Sequence, residues 1–276
     1  MYLAIDIGGT KTLVAELTNS GVVKQRIQFP THKTYAFFRG ELADTVAKMS
    51  TSDITAIGVA APGKIDRERG VGLVMGNLPW KNVPLRKDIA AMLDCDNIII
   101  ENDSKAAGLA EALALKKQFN RVLYVTIGTG IGVALIVDQK IDPALADAEG
   151  GHIILQYGDK LLTWEEIASG RAIVERFGKR ADTITKEKAW KEIAHRLGLG
   201  LFDMIATLQP EVVVLGGGVG RHFTHFKAYL EQELQQYEMP LVPIPPVRPA
   251  TYAEDSVLYG CYSLAKDKYG NTGLQA

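Results

Sequence analysis

Asp103 is a carboxylate standing where a general base would be useful. Three consecutive isoleucines at 98–100 read as the end of a buried strand, because β-branched side chains suit a covered, pleated surface. Glu101, Asn102, Asp103 and Ser104 follow, and the run 105–111 is rich in alanine and leucine with helical spacing. Asn102 and Asp103 therefore fall where a strand ends and a helix begins, which is where open α/β sheets bind ligands. A carboxylate held there by rigid elements on both sides can take the proton of a bound hydroxyl. The same residue types equally suit a plain helix cap, since Asp and Ser accept backbone N–H groups at helix starts.

A second group of residues could hold phosphate. Asp6-Ile7-Gly8-Gly9-Thr10-Lys11 joins a carboxylate to a tight turn. With no Cβ in the way, the N–H groups of such a turn can approach phosphate oxygens. Asp6 could hold Mg²⁺ through water, since this cation usually keeps several waters. Ile127-Gly128-Thr129-Gly130-Ile131-Gly132 is another loop of the same kind. Each reads equally as an ordinary hairpin turn. Neither is a Walker loop, which needs Gly-Lys-Ser/Thr opening a helix, nor a dinucleotide fingerprint, which needs a strand followed by a helix. Here each turn joins strand to strand. Gly216-Gly217-Gly218, after the apolar run 212–215, permits close approach of a flat ligand such as adenine, or a flexible connection from strand to helix.

Glu149-Gly150-Gly151-His152 and Glu165 offer hydrogen-bonding groups suited to a polyol, although a His and Glu in these positions also suit a surface or structural role. Trp80, three residues after Asn77 in a loop, fits either a sugar face or a core anchor. His195, His222 and His225 lie on polar helical stretches and receive no role.

The elements that must position these groups repeat. Tyr2–Ile7 and 13–17 read as strands around the first glycine turn, and Arg121–Ile127 and 132–137 read as strands around the second. With an offset of 120, Leu3, Ile7 and Gly8 fall on Leu123, Ile127 and Gly128. The shared order of strand, glycine turn, strand and Asn/Asp-containing turn points to an internal duplication. Further strands are expected at 54–60, 212–215 and 240–249, and helices at 40–49, 85–93, 164–177, 185–208, 222–237 and 256–268. No long linker interrupts them.

Composition excludes several functions. The chain has 276 residues, 47% apolar and 23% charged, enough for two ordinary domains with substantial cores. A net charge of −1 favours neither nucleic acid nor an anionic membrane as partner. No apolar run approaches the roughly 20 residues of a membrane span. The first apolar segment is broken by Asp6 and lacks a basic flank, unlike a signal peptide. Cys95 and Cys261 are far apart in sequence and suggest neither a disulfide framework nor a zinc site, so a reducing cytoplasm is the expected location.

Taken together, Asp6-Ile-Gly-Gly-Thr-Lys11, Ala61-Pro-Gly63, Glu101-Asn-Asp103, Gly128-Thr-Gly-Ile-Gly132, Glu149-Gly-Gly-His152, Glu165 with Ala168-Ser-Gly170, and Pro210-Glu211 leading to Gly216-Gly217-Gly218 resemble the ROK family of bacterial sugar kinases and related repressors. The motifs occur in that family's order over nearly the whole chain. The resemblance implies a duplicated α/β fold of the ribonuclease H-like (actin and hexokinase) type, with two domains around a central cleft. Residues 1–110 would form the first domain, joined by a last helix near 262–276, and 111–261 the second. The resemblance makes Asp103 the catalytic base and puts Asn102, Asp103, Glu149, His152 and Glu165 on the sugar, with Asn77 added as a further candidate contact. It implies ATP and Mg²⁺, with Asp6 holding the metal through water. Gly8, Gly9, Thr10, Lys11, Gly128, Thr129, Gly130, Gly132, Gly216, Gly217 and Gly218 would face the nucleotide and its phosphates.

One departure stands out. Many members carry a cysteine cluster that binds zinc together with the Gly-His histidine, whereas 153–164 contains no cysteine here. No zinc site is therefore expected, and His152 must find another partner. The implied activity is a cytoplasmic, homodimeric hexose kinase that phosphorylates the C6 hydroxyl of glucose from ATP. Polyphosphate as donor, another hexose or an N-acetylhexosamine (fructose, N-acetylmannosamine, N-acetylglucosamine) as acceptor, and a non-catalytic sugar sensor remain alternatives. A repressor would carry a DNA-binding module ahead of the first motif, which here begins at Leu3, so a kinase is expected.

Overall fold

The structure is a computed structural model that describes residues 1–49 and 53–270. Its first strand, β1 (Tyr2–Ile7), turns at Gly8-Gly9 into the antiparallel β2 (Lys11–Leu17), with Asp6 opposite Leu13. The Gly8 N–H donates to the Lys11 carbonyl at 3.0 Å, and a Cβ on Gly8 would lie 2.7 Å from that oxygen, so the turn admits no side chain there. β3 (Val23–Pro30) extends the meander as an edge strand of alternating exposure. Helix α1 (Tyr35–Ala47) lays Phe38, Leu42 and Val46 into the core of this sheet. β4 (Ala56–Ala61) is buried along its whole length and lies parallel to β1.

Three short strands, β5 (Lys64–Asp66), β6 (Val71–Val74) and β7 (Lys81–Val83), form a small separate sheet. Helix α2 (Leu85–Leu93) then leads to β8 (Ile98–Asn102), parallel to β4, and α3 (Asp103–Ala114) starts at the next residue. The main sheet has the order β3-β2-β1-β4-β8.

The second half repeats this plan. β9 (Arg121–Ile127), β10 (Ile131–Val137) and the two-residue β11 (Lys140–Ile141) form an antiparallel meander. A hairpin, β12 (Ile154–Tyr157) and β13 (Lys160–Thr163), precedes α4 (Trp164–Ala168), α5 (Gly170–Phe177) and the long α6 (Glu187–Leu208). β14 (Val212–Gly216) lies parallel to β9 and runs into α7 (Gly217–Gly220) and α8 (Phe223–Gln235). β15 (Val247–Pro249) completes the order β11-β10-β9-β14-β15, and α9 (Ser256–Tyr269) ends the described chain. Both five-stranded sheets thus pair the first strand antiparallel to the second and parallel to the fourth. This is a duplicated α/β arrangement of the actin and hexokinase type.

Contacts divide the chain into one unit of Met1–Ala110 with the segment from Asp255, and a second unit of Glu111–Glu254. The second unit therefore ends seven residues before the expected 261, since all of α9 goes with the first unit. Leu258, Cys261, Tyr262 and Ala265 of α9 share a core with Ala4, Ala15, Ala56 and Ala60. The expected final helix near 262–276 runs beyond the described residues at 271–276.

Two expectations about secondary structure needed revision. The helix anticipated over 164–177 is two helices, because Ser169 is extended and its Oγ accepts the Ala172 N–H at 3.3 Å, capping a new start. The strand anticipated over 240–249 is confined to Val247–Pro249. Pro240, Pro243, Pro245 and Pro246 have no N–H to donate to a ladder.

The helix α9 crosses the first sheet at backbone distance. A Cβ on Gly58 of β4 would overlap the Cys261 carbonyl, and a Cβ on Gly260 would overlap the Ala106 carbonyl of α3. Gly58→Ala should therefore destabilise the protein by about 1–3 kcal/mol or more, the usual cost of overpacking. Gly40→Ala, in the interior of α1 with open space around it, should stabilise by about 0.5–1 kcal/mol. Urea denaturation of both variants checks the contrast.

Candidate active site

The first unit places its candidate residues at the ends of β1, β4 and β8. Asn102, the last residue of β8, is paired with Ala61 of β4 and is buried. Its Oδ1 accepts the N–H groups of Ser104 at 3.0 Å and Lys105 at 3.2 Å, which caps α3. Its Nδ2 donates to the Gly63 carbonyl at 3.1 Å. Gly63 has φ +85°, and a Cβ there would overlap the Val74 carbonyl, so only glycine turns the chain after Pro62 in this way. Capping is thus the work of Asn102 and not of Asp103.

Asp103, the first residue of α3, accepts the Ser104 N–H at 2.7 Å and the Ser104 hydroxyl at 3.3 Å, both on Oδ1. Its second oxygen has no hydrogen-bond partner among the described residues. Burial raises the Asp103 carboxyl above the ordinary carboxylate range, while the Ser104 hydrogen bonds and the Lys105 charge oppose the rise. The positive end of the α3 dipole also favours a negative charge at this position.

Asp6 faces the same region from β1. Burial, and after it the Asp103 charge, push its carboxyl up to about 7 against the pull of Lys11. No hydrogen bond from another side chain reaches the Asp6 carboxylate among the described residues. A hard, oxygen-only group under repulsion from a neighbouring carboxylate suits a divalent cation that retains waters and takes further oxygens from phosphate. Mg²⁺ therefore fits Asp6.

Beside this pair, Gly8 and Gly9 form the closed turn, with Thr10 and Lys11 exposed on it. Lys33 Nζ donates to the carbonyls of Gly9 at 3.4 Å and Asn77 at 3.3 Å, so the loop holding Asn77 is tied to the glycine turn. A Cβ on Gly9 would lie 3.4 Å from that of Asn77. Trp80 is a core anchor. It is buried against Tyr35 and Phe38, and its Nε1 donates to the Lys33 carbonyl at 2.8 Å.

The second unit gathers a different set around the β9–β10 turn. Gly128 N–H donates to Gly130 O at 3.0 Å and closes the turn on which Thr129 is exposed. Gly170 N–H, at the start of α5, donates to Gly128 O at 2.7 Å. Glu165 Oε2 accepts the Ile131 N–H at 3.3 Å and lies where a Cβ on Gly130 would go. The same oxygen is 4.0 Å from His152 Nδ1. Glu149 and His152 are exposed at the two ends of a single 3₁₀ turn, which sits close because a Cβ on Gly151 would overlap the Ile131 carbonyl.

Gly132 pairs with Thr126 along the β9–β10 ladder. Gly216 pairs with Thr126 from the other side, and Gly217, with φ +78°, brings its backbone against Ile127. Around Gly218 the space is open within 4 Å. The structure therefore brings Glu165, His152 and the two glycine turns of this unit together. Gly63, Lys33 and Gly170 also belong to these constellations. Only Gly63 and Gly170 carried a sequence signal, as parts of short motifs.

No helix among the described residues is long and apolar enough to cross a membrane. Also among them, no group of three or more His, Cys, Asp or Glu side chains is gathered so that it could hold a metal ion.

Comparison with known proteins adds a lineage. Residues 2–268 match the ROK family. The chain is 27% identical over 263 residues to a glucokinase of Streptomyces coelicolor, covering 79% of this chain and 82% of that one. It is 30% identical over 285 residues to an N-acetylmannosamine kinase of Yersinia pestis, covering 94% and 96%. Among solved structures, a ROK family glucokinase from Streptomyces griseus in complex with glucose and AMPPNP shares its fold with a TM-score of 0.83 at 24% identity, over 96% of this chain and 99% of that one.

The raised Asp6 carboxyl has a consequence for stability. Asp6 titrates near 3.8 when unperturbed and near 7 in the fold, so between those values the folded state holds more protons than the unfolded one. Stability falls as pH rises through that window, and the cost is complete above about 7. Nucleotide-free Asp6→Asn should exceed the parent in stability at pH 8 by up to about 4 kcal/mol, less in proportion to the water reaching this half-buried group. The difference should close toward pH 4. Urea denaturation at several pH values, without Mg²⁺, measures it.

Proposed function

The chain belongs to the ROK family and is a sugar kinase, and on that premise we propose that it transfers the γ-phosphoryl group of ATP to the C6 hydroxyl of a hexose, with glucose as the preferred acceptor. The observation that carries the reading is Asp103. It is fixed on one oxygen by Ser104 and has the other free, at a strand end beside a second carboxylate. In this reading that free oxygen accepts the C6 hydroxyl proton as O6 bonds to the γ-phosphorus. The bond from the γ-phosphorus to the bridging oxygen breaks, and ADP leaves. Phosphoryl transfer asks a protein chiefly for positioning and charge stabilisation, so one well-held carboxylate suffices as base.

The glycine turns at Gly8, Gly9, Thr10 and Lys11, at Gly128, Thr129, Gly130 and Gly132, and at Gly216, Gly217 and Gly218 are assigned to the nucleotide. Their backbones can approach phosphates closely, and Gly218 has room beside it. Mg²⁺, held through Asp6 and water, would supply charge neutralisation on the phosphates. Asn77, Asn102, Glu149, His152 and Glu165 are assigned to the sugar. Asn102 keeps one amide hydrogen after its donation to Gly63, and its main part in this reading is to hold Asp103 in place. With no cysteine near His152, the Glu165 carboxylate is its nearest partner for orientation. The glucokinase relative supports glucose, and the glucokinase solved with AMPPNP supports ATP as donor. A cytoplasmic homodimer is part of the same reading.

Three measurements test it. Asp103→Asn should keep the shape and lower kcat by about 10²–10⁴, with a smaller change in KM. Retention of most of kcat, with chemistry limiting, would remove Asp103 from the mechanism. Glu149→Gln or His152→Ala should lower kcat/KM for glucose at least about tenfold, because a sugar hydroxyl loses its hydrogen-bond partner, while nucleotide affinity without sugar stays unchanged. A panel of hexoses and N-acetylhexosamines crossed with ATP and polyphosphate checks substrate and donor. Faster turnover of N-acetylmannosamine than of glucose would move the acceptor assignment.

A further inference from the structure

Glu101 sits directly before Asn102 and Asp103, yet the chemistry above does not use it. Its side chain is 8% exposed. Arg67 grips it through Nε at 3.0 and 2.9 Å to its two oxygens and through Nη2 at 2.7 Å to Oε1. The same Oε1 accepts the N–H of Asn102 at 2.7 Å. β8 is the edge strand of its sheet, so at its end Glu101 supplies an acceptor in place of a neighbouring strand.

Arg67 is itself held. It lies in the turn between β5 and β6, where Gly70 N–H donates to Asp66 O at 2.8 Å. From the first turn of α2, Arg86 donates to the Glu68 carbonyl at 2.6 Å and to the Arg67 carbonyl at 2.8 Å. A continuous set of hydrogen bonds therefore runs from α2, through the β5–β6 turn and the Arg67 fork, to the backbone immediately before Asp103. A planar guanidinium bound to a carboxylate in this way fixes angle as well as distance, which an ammonium cannot do.

We propose that Arg67 is a positioning residue for Asp103, acting through Glu101 and the Asn102 N–H. The inference rests on the reading of Asp103 as the base. Without Arg67, the Glu101 carboxylate is free to turn, Asn102 N–H loses a fixed acceptor, and the strand end that aims Asp103 relaxes. Small displacements of a catalytic group reduce the rate far more than they reduce binding.

Arg67→Met should lower kcat about 10- to 100-fold. KM for sugar and for nucleotide should stay within about threefold. Arg67→Lys, which keeps the charge but not the fork, should recover part of the loss. Removing one member of a buried pair can prevent folding. If Arg67→Met is insoluble, Arg67→Met/Glu101→Leu, which leaves no unpaired charge, is measured in its place and should show the same loss of kcat. Full kcat in either folded variant overturns the proposal. So does a parallel fall in kcat, sugar affinity and melting temperature with no recovery in Arg67→Lys, which marks a purely structural pair. Asp103→Asn measured alongside separates the two readings. If it stays active, the base assignment fails. If it is inactive while Arg67→Met is fully active, only the role of Arg67 fails.

Discussion

The carboxamide of Asn102 is the interaction on which the first unit's site depends. One side chain ends β8, starts α3 by accepting the Ser104 and Lys105 N–H groups, and ties both to the turn after β4 through the Gly63 carbonyl. A carboxylate could accept those N–H groups but could not donate to Gly63, and a hydroxyl could not reach both. With the cap provided by Asn102, Asp103 is left as the first helical residue with an oxygen to spare. The turn at Gly63, the pairing of Asn102 with Ala61 and the Arg67–Glu101 fork all serve to keep this residue in one orientation.

Around that amide the protein tolerates an unfavourable charge arrangement. Asp6 and Asp103 are both desolvated, and the Asp103 charge raises the Asp6 carboxyl further. Such crowding lowers the stability of the empty protein and is relieved by whatever positive charge arrives with the substrates. Glu101, a third carboxylate in the same stretch, is neutralised by Arg67, which keeps it from adding to the repulsion. The surrounding elements are closely packed. β4 is wholly buried, and Gly58 and Gly260 permit backbone to meet backbone.

Much of this was legible in the sequence, and the reasons differ by element. The duplicated strand-turn-strand units declare themselves because alternation and glycine turns are local signals, and both sheets share one strand order. Asp103 was readable because a β-branched run meets a helical run at that residue. The sheet of β5, β6 and β7 was not readable, since strands of three or four residues are too short to show a period. The break at Ser169 was hidden because its flanks, α4 and α5, are both apolar enough to pass for one helix. Trp80 was ambiguous from its loop alone, and only its contacts with Tyr35 and Phe38 give it to the core. Arg67 carried no signal at all, for its partner lies 34 residues away and one charge among many has no local pattern.

The place of α9 bears on how the polypeptide matures as it is made. Its 14 residues follow every other element of the described chain, yet they cover the face of the first sheet formed by Ala4, Ala15, Ala56 and Ala60. A nascent chain leaving the ribosome therefore emits residues 1–110 with that face bare and completes the whole of Glu111–Glu254 before the cover arrives. The unit that begins first finishes second. During that interval an apolar surface is open to nonproductive association, a hazard that chaperones exist to contain. Alanines and Gly58 on that face let α9 dock closely once it emerges, so the closing step of the first unit is the burial of a smooth surface by a short helix.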